Sequence, residues 1–427
     1  MTNPAQGGPE LPSRRYANFV LGVMVLMYTF NYLDRFVLTI LISDIKEELQ
    51  LTDTMVGFLM GPAFAFFYTG FGIPIARWAD VGSRRFIIAL GLTVWSGFTA
   101  ASGLVRSATE LAIARVCVGV GEAAGAAPAH SLLSDYFPPE RRATALSFFQ
   151  GGVYIGSMLG LIIGGLLVGP VGWRMTFLIV GLPGILVALL VRFGVREPAR
   201  GGFDPPRSGT ESATIRDVLF HLARRPTFWL VGLGAGIASF AGTGLGMWMP
   251  VFLERVHDLP KTEIGVRFGI LQYGTAFFGA ILCGKVADTL ARRSLRWYAG
   301  VGALSVALML PFIGAQLLWP TGTGAIYWSI PAALTGAGWA PIAYSMAQNM
   351  APPHMRAVAS ALIIVFITFL GTGLGPWAVG SLNDLLEPQY GELAVRWSLL
   401  MMLSSCSLGA LLFGLAVRTI EKDFRET

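Results

Sequence analysis

Runs of roughly 20 apolar residues recur along nearly the whole chain, and no other feature limits its fold so tightly. A helix rises about 1.5 Å per residue, so ~20 residues cross the ~30 Å hydrocarbon core of a bilayer while pairing their own backbone groups. About twelve such runs fall near 16–42, 54–76, 86–105, 109–134, 143–168, 174–192, 227–252, 266–286, 298–319, 326–348, 357–381 and 397–417. Charged residues are only 13% of the 427, against 54% hydrophobic, whereas a soluble domain carries about 25% charged. The fold class expected is an all-α polytopic membrane protein with twelve transmembrane helices. The first 15 residues are polar and the first apolar run is long enough to span, so no cleaved leader is expected. Cys117, Cys283 and Cys406 lie in separate apolar runs, which suits packing thiols rather than a disulfide framework.

The net charge of +6 is unevenly placed. Arg14, Arg15, Arg84, Arg85, Arg141, Arg142, Arg224, Arg225, Arg292, Arg293, Arg356, Arg418 and Lys422 fall at the N-terminus, in the loops after even-numbered runs, and at the C-terminus. By the positive-inside bias both termini are cytoplasmic, and a multi-pass protein of the cell inner (plasma) membrane is expected. The basic excess is then a topology signal, and no nucleic-acid partner is implied.

The longest polar stretch, 193–226, separates six runs from six. Its portion VREPARGGFDPPRSGTE has linker composition, and SATIRDVLFHLARRPTFW alternates apolar with basic residues, as a short interfacial helix would. Two motifs recur across it. ARWADVGSRR (76–85) follows the second run and GKVADTLARR (284–293) the eighth, so that Asp80 and Asp288 each precede an Arg-Arg pair. PPERRA (138–143) follows the fourth run and PPHMRA (352–357) the tenth. The reading is a duplicated unit: an N-terminal six-helix bundle over 1–192, a cytoplasmic linker over 193–226 and a C-terminal six-helix bundle over 227–427.

Away from their ends, the runs hold four charged residues, Asp34, Arg35, Arg115 and Glu122, all in the first and fourth. A central Arg or Asp costs about 3 kcal/mol on insertion scales, so these must face a polar cavity or one another. Arg115 and Glu122, seven apart, share a helix face about 10 Å apart. Counting along the runs sets Arg115 level with Asp34 and Arg35, and Glu122 nearer the midplane. Asp34 and Arg35 point roughly 100° apart, so at least one looks across to another helix. A structural ion cluster and a proton and substrate site are both open readings. The second half has no such charges, which leaves it apolar and aromatic walls; Phe240, Trp248, Tyr273, Trp339 and Tyr344 are candidates, each open to a plain packing role.

Taken together, the repeated loops resemble the major facilitator superfamily of secondary transporters over essentially the whole length. Gly284, Asp288, Arg292 and Arg293 match the family's loop pattern; in the first copy only Asp80, Arg84 and Arg85 do, with Ala76, Val81 and Ser83 departing. NYLDR (31–35) with RVCVGVGEAAGAAPAHSLLSDYFPPERRATALS (115–147) is similar to bacterial Spinster-like transporters, whose eukaryotic relatives export sphingolipids or lysophospholipids. An Asp-Arg pair on span one with Arg and Glu seven apart on span four also occurs in proton-coupled organic-anion symporters.

The resemblance and the intramembrane charges imply a proton-coupled, alternating-access carrier of an amphipathic or anionic molecule, with a symporter of small organic acids such as sugar acids as the alternative. Asp34 and Glu122 are the expected proton-coupling residues, Arg35 and Arg115 the expected substrate-binding ones. An anion taking a guanidinium would free its carboxylate to accept a proton, which links the two ligands. Asp80, Arg84, Arg85, Asp288, Arg292 and Arg293 form the expected cytoplasmic gate, a carboxylate capping the N-terminal end of a helix from the other bundle. His130 either extends a proton path or is a polar helix-end residue. Glycines spaced by four on runs four, five and eleven let helices approach closely or slide. No HExxH, nucleophile elbow, P-loop or paired His/Cys spacing occurs, so an enzyme, a cofactor and a metal are not expected. No charged ring forms at pseudo-symmetric positions, which argues against a channel. A monomer is expected.

Overall fold

The structure is a computed structural model and describes residues 13–201, 203, 215–351 and 355–425. Every regular element among them is helical. The first half of the chain holds α1 (Arg14–Leu49), α2 (Asp53–Met60), α3 (Pro62–Val81), α4 (Arg84–Ser102), α5 (Ala108–Glu122), α6 (Ala126–Tyr136) and α7 (Pro139–Gly194). After α8 (Ile215–Ala223), the second half holds α9 (Pro226–His257), a single turn α10 (Lys261–Glu263), α11 (Thr275–Ala291), α12 (Arg296–Leu318), α13 (Gly322–Gly336), α14 (Trp339–Asn349), α15 (Arg356–Phe366), α16 (Gly375–Tyr390) and α17 (Ala394–Arg425). Wider π-helical turns fill Ile264–Phe268, Ile270–Gly274 and Ile367–Leu374. Among the described residues, nine helical stretches are long and apolar enough to cross a membrane.

Local chemistry sets these boundaries. The side chains of Ser13, Thr52, Ser83, Ser107 and Thr321 each accept a backbone N–H in the first turn of the helix they open, satisfying donors that have no partner inside the helix. The 56 residues of α7 would make a rod of ~84 Å if straight. Gly172 interrupts it at φ 76, ψ 167, a conformation that only glycine adopts without steric penalty. Three apolar runs are broken in the middle: at Gly61–Pro62, where proline brings no N–H, at Ala123–Gly125, and at Ala337–Gly338.

Residues 204–214 of the expected linker, and Pro352–His354 of the second Pro-Pro loop, lie outside the described residues. The short helix expected before the seventh run is α8; it buries Val218 and Leu222 and exposes Leu219 and Phe220.

The two halves of the chain meet most firmly at the end carrying the α1–α2 loop. There Arg255 on α9 donates both terminal nitrogens to the Asp53 carboxylate, at 2.6 and 2.9 Å. Lys46 and Asn383 donate to the same carboxylate at 2.6 and 3.0 Å. The Asp384 carboxylate caps α2 from the other half, accepting the N–H groups of Asp53 at 2.9 Å and Thr54 at 2.7 Å. Lys261 pairs with Asp44 at 2.5 Å, and Ser43 donates to Glu254 at 2.6 Å. Backbones touch directly: a Cβ on Gly61 would sit 2.6 Å from the Gly373 carbonyl, and one on Gly165 or Gly265 would overlap the Lys261 or Leu161 carbonyl. At the opposite end, which carries the N-terminus and the two repeated basic loops, no hydrogen bond or ion pair joins the halves among the described residues. Polar and backbone contacts seal one end, and the other end has no such link among the described residues.

Candidate functional site

Three of the four buried charges are almost free of solvent contact: Asp34 and Glu122 are 0% exposed and Arg115 2%. They lie in the interior of the first half, where the two broken runs bring irregular backbone close to α1. Glu122 is the last residue of α5, just before the Ala123–Gly125 break, and its carbonyl takes the Gly125 N–H at 2.9 Å. The break after Gly61 starts α3 so that Phe64 lies beneath both arginines, with the Arg35 guanidinium 4.3 Å and the Arg115 guanidinium 5.8 Å from its ring centre.

Arg35 crosses from α1 to α5. Its Nε donates to Glu122 Oε2 at 2.7 Å and its Nη2 lies 2.5 Å from the same oxygen. Tyr32 and Tyr68 complete an aromatic enclosure at 4.9 and 5.3 Å, the cation facing ring electrons that attract it. Counting turns had set Glu122 deeper than Arg35; the long arginine side chain closes that gap. Asp34 turns the other way, to α4, where Thr99 Oγ1 donates to its Oδ2 at 3.1 Å.

The cluster is incompletely satisfied. Arg115 donates no hydrogen bond among the described residues, and Asp34 Oδ1, Glu122 Oε1 and Asn31 Oδ1 are buried without a partner. Buried polar atoms are nearly always hydrogen-bonded; here Arg115 is balanced by the charges of Asp34 and Glu122 without a hydrogen bond to either. The cluster thus keeps hydrogen-bonding capacity on one guanidinium and two carboxylates that the described residues do not use. Phe36 on α1 meets Tyr273 of the second half edge-on, ring centres 5.0 Å apart, so one of the wall candidates touches the helix that carries Asp34 and Arg35. Of the other wall candidates, Trp248 is fully buried and donates to the Pro376 carbonyl at 2.9 Å; it packs. His130 stacks edge-on against Phe149 at 5.1 Å.

The repeated loops divide. Arg84 is 1% exposed and lies inside the first half, its Nε donating to Glu197 at 2.8 Å and its Nη1 to Asp135 and to the Ser131 carbonyl. Glu197 also accepts Ser83 Oγ and the Arg85 N–H, both at 2.9 Å, and so caps α4. Burial raises its carboxyl pKa, but these donors and the Arg84 charge outweigh burial and hold it below the usual carboxylate range. Arg85 Nη1 reaches the Val195 carbonyl at 3.2 Å. Arg200 closes the end of α3 through the carbonyls of Ala79, Asp80 and Gly82. Asp80 is exposed, and its carboxylate caps no helix among the described residues. Asp288 accepts the Tyr298 hydroxyl at 2.9 Å, while Arg292 and Arg293 are exposed. The interaction anticipated for Asp80 is made at the sealed end, by Asp384 on α2. Sequence reasoning passed over that end. The signal was there: Arg255 and Lys261 are cations on the side of the chain that is otherwise poor in them.

A model of the Major Facilitator Superfamily matches residues 24–376. An MFS-type efflux pump of Mycolicibacterium smegmatis is 31% identical over 97% of this chain and 95% of its own length. Protein spinster homolog 1 of Rattus norvegicus is 27% identical over 100% of this chain and 87% of its own. The crystal structure of a bacterial homolog to the human lysosomal transporter Spinster, inward-facing and unoccupied, superposes with a TM-score of 0.88 at 30% identity, covering 96% of this chain and 99% of that one. Its inward-facing, occupied form gives 0.84.

Proposed function

The chain belongs to the major facilitator superfamily, with Spinster-like relatives along its whole length, and on that premise we propose that it is a proton-coupled, alternating-access carrier of an amphipathic anion, a lysophospholipid or sphingolipid being the class favoured. It is a transporter, not an enzyme. The observation that carries the reading is Arg115: a buried guanidinium left without a hydrogen bond, beside two carboxylates that each keep an oxygen free. In this reading Arg115 is the primary anion receptor and Arg35 moves between Glu122 and the substrate. Glu122 loses its partner when the substrate takes Arg35, and a proton replaces it. Asp34, held only by Thr99 at 3.1 Å, is the second relay. The bilayer and a membrane-embedded monomer complete the picture.

Twelve crossings in two six-helix bundles (1–192 and 227–427, joined by 193–226) fit the helix record. The kink at Gly172 divides α7, the turn at Gly391 divides Val358–Phe424, and α13 with α14 adds a broken crossing. The positive-inside bias makes the unlinked end cytoplasmic, so the conformation is inward-facing, as in the 0.88 match. The six loop residues Asp80, Arg84, Arg85, Asp288, Arg292 and Arg293 then form the cytoplasmic latch: Arg84 and Arg85 brace the first loop, and the free Asp80 carboxylate caps a helix of the other half when that side closes.

Small organic acids such as sugar acids are the second reading, because a guanidinium fork holds a carboxylate as well as a phosphate. Purified protein should be screened by thermal shift against lysophospholipids, sphingoid phosphates and sugar acids, and each hit tested in proteoliposomes under an imposed pH gradient. Uptake of a lysolipid that saturates and follows the pH gradient supports the proposal. Uptake that ignores the gradient sinks proton coupling, and hits confined to sugar acids sink the lipid class.

A further inference from the structure

The two copies of the repeated basic loop are alike in sequence and unlike in what neutralises them. In the first copy Arg84 is buried against two carboxylates, Asp135 and Glu197. The corresponding positions in the second copy can be read from landmarks. Asp135 stands three residues before Pro138-Pro139; three before Pro352-Pro353 stands Asn349, an amide. Glu197 stands five residues after Arg192 of a Val-Arg pair; five after Arg418 of the matching pair stands Asp423. Asp423 is buried and occupied, its Oδ2 accepting the Thr227 N–H at 2.9 Å. The fold thus supplies the second copy with neither counter-charge.

Arg292 and Arg293 accordingly lie exposed, with no hydrogen bond or ion pair among the described residues. The nearby acids are engaged. Asp288 takes the Tyr298 hydroxyl, and Glu421 takes Ser294 Oγ and Arg296 Nη2, both at 3.1 Å. Immediately beyond the pair, Trp297 opens α12 with 46% of its surface exposed, and an outward-facing tryptophan at a helix end marks the headgroup level of a bilayer. Two adjacent guanidiniums at that depth, with no acid in ion-pair contact among the described residues, match a phosphodiester in charge and in hydrogen-bond geometry.

We propose that Arg292 and Arg293 form a binding site for the headgroup of an anionic phospholipid, which takes the place of the carboxylates that Arg84 holds in the first half. The site lies outside the central chamber and does not depend on what the chamber carries.

The test uses the full-length protein, delipidated in detergent and then titrated with phosphatidylglycerol or with phosphatidylcholine, bound lipid being counted by native mass spectrometry. The parent should retain phosphatidylglycerol selectively. R292Q/R293Q should lose that selectivity by roughly tenfold or more, the scale expected when two basic residues are withdrawn from an anionic headgroup. A matched variant at another exposed basic residue of the first half, Arg141→Gln, should keep it. Equal retention in R292Q/R293Q and the parent overturns the proposal. So does protection against heating by inorganic phosphate equal to that by phosphatidylglycerol, since the occupant is then a free anion. A third arm neutralises the linker acids (D204N/E211Q): a gain of phosphatidylglycerol binding that requires this change means the linker holds the arginines, and it also overturns the lipid assignment.

Discussion

The charges buried at the sealed end and those buried inside the first half are finished to different degrees. At the sealed end Asp53 has both oxygens filled, by Lys46, Arg255 and Asn383, and its helix is capped by Asp384. The charges of Lys46, Asp53 and Arg255 are paired with one another, and among these side chains only the neutral Asn383 Oδ1 is left without a partner. In the central cluster Arg115 makes no hydrogen bond among the described residues, while Asp34, Glu122 and Asn31 each keep an oxygen without one. A satisfied network specifies one arrangement and resists change; an unsatisfied one stores free energy that a ligand can release. The comparison teaches where to look for function: in the charges the protein declines to pair.

The largest expected effect strikes the unfinished cluster. Asp34→Asn and Glu122→Gln should each bring pH-gradient-driven uptake in proteoliposomes to background, with one of the two still exchanging substrate. Were both variants to respond to an imposed gradient as the parent does, the chamber would be no relay and the contrast with the sealed end would lose its meaning.

Arg115 gives the second test, because a loss of transport far larger than the loss of stability separates a binding role from a structural one. Arg115→Met removes a positive charge that faces the buried Asp34 and Glu122 carboxylates, leaving Arg35 alone to balance both, so melting should fall by a few degrees. Transport should fall roughly 30-fold, equivalent to about 2 kcal/mol of lost charge-assisted hydrogen bonding. Arg115→Lys should recover little, lysine lacking the planar fork. A variant that melts lower and transports normally would make Arg115 a structural residue.

At the finished cluster the order reverses. Asp53→Asn leaves Arg255 and Lys46 without their shared counter-charge; both are about a quarter exposed, so water blunts the loss to about 1 kcal/mol. Melting should drop slightly, and thiol probes placed behind the sealed end should react several-fold faster. Unchanged labelling would show that the glycine contacts alone hold that end shut.

The smallest effect is a pH dependence in a second satisfied group, Glu197 with Arg84. The folded pKa of Glu197 is depressed, so its contribution is complete above the ordinary Glu value of ~4.3 and is lost as pH falls through the lower folded value. Between pH 6 and 3 the parent's melting temperature should fall more than that of Glu197→Gln. Parallel curves would remove the linker strap from the stability account.

How much of this was readable beforehand follows the same division. Apolar runs and basic loops located the helices, because a bilayer tolerates few alternatives. Asp34, Arg35, Arg115 and Glu122 stood out because charge is rare in such runs. Their wiring did not. Nothing in the sequence says that Arg35 turns to Glu122 while Asp34 turns to Thr99, since rotamers decide that once the helices are packed. Asp53 was invisible for another reason: an acid just after Thr52 looks like an ordinary helix start, and its partners lie some 200 and 330 residues away. Arg84 carried a gate expectation, and the acids it holds, Asp135 and Glu197, were not paired with it because each looks like a loop residue.

The glycines that press backbone to backbone across the sealed end have a meaning for variation rather than for mechanism. At Gly57, Gly61, Gly165 and Gly265 a single methyl group would meet a carbonyl of the opposite half, whereas Gly22, Gly70 and Gly72 face open space. The first set is forbidden to every other residue only while the surfaces touch. An alanine there penalises one conformation and spares the other, so drift at these positions would retune the resting balance of the carrier without altering a single atom that meets its cargo. A saturation scan read out by transport should find those four positions intolerant and the other three permissive, and the intolerant ones should remain well expressed.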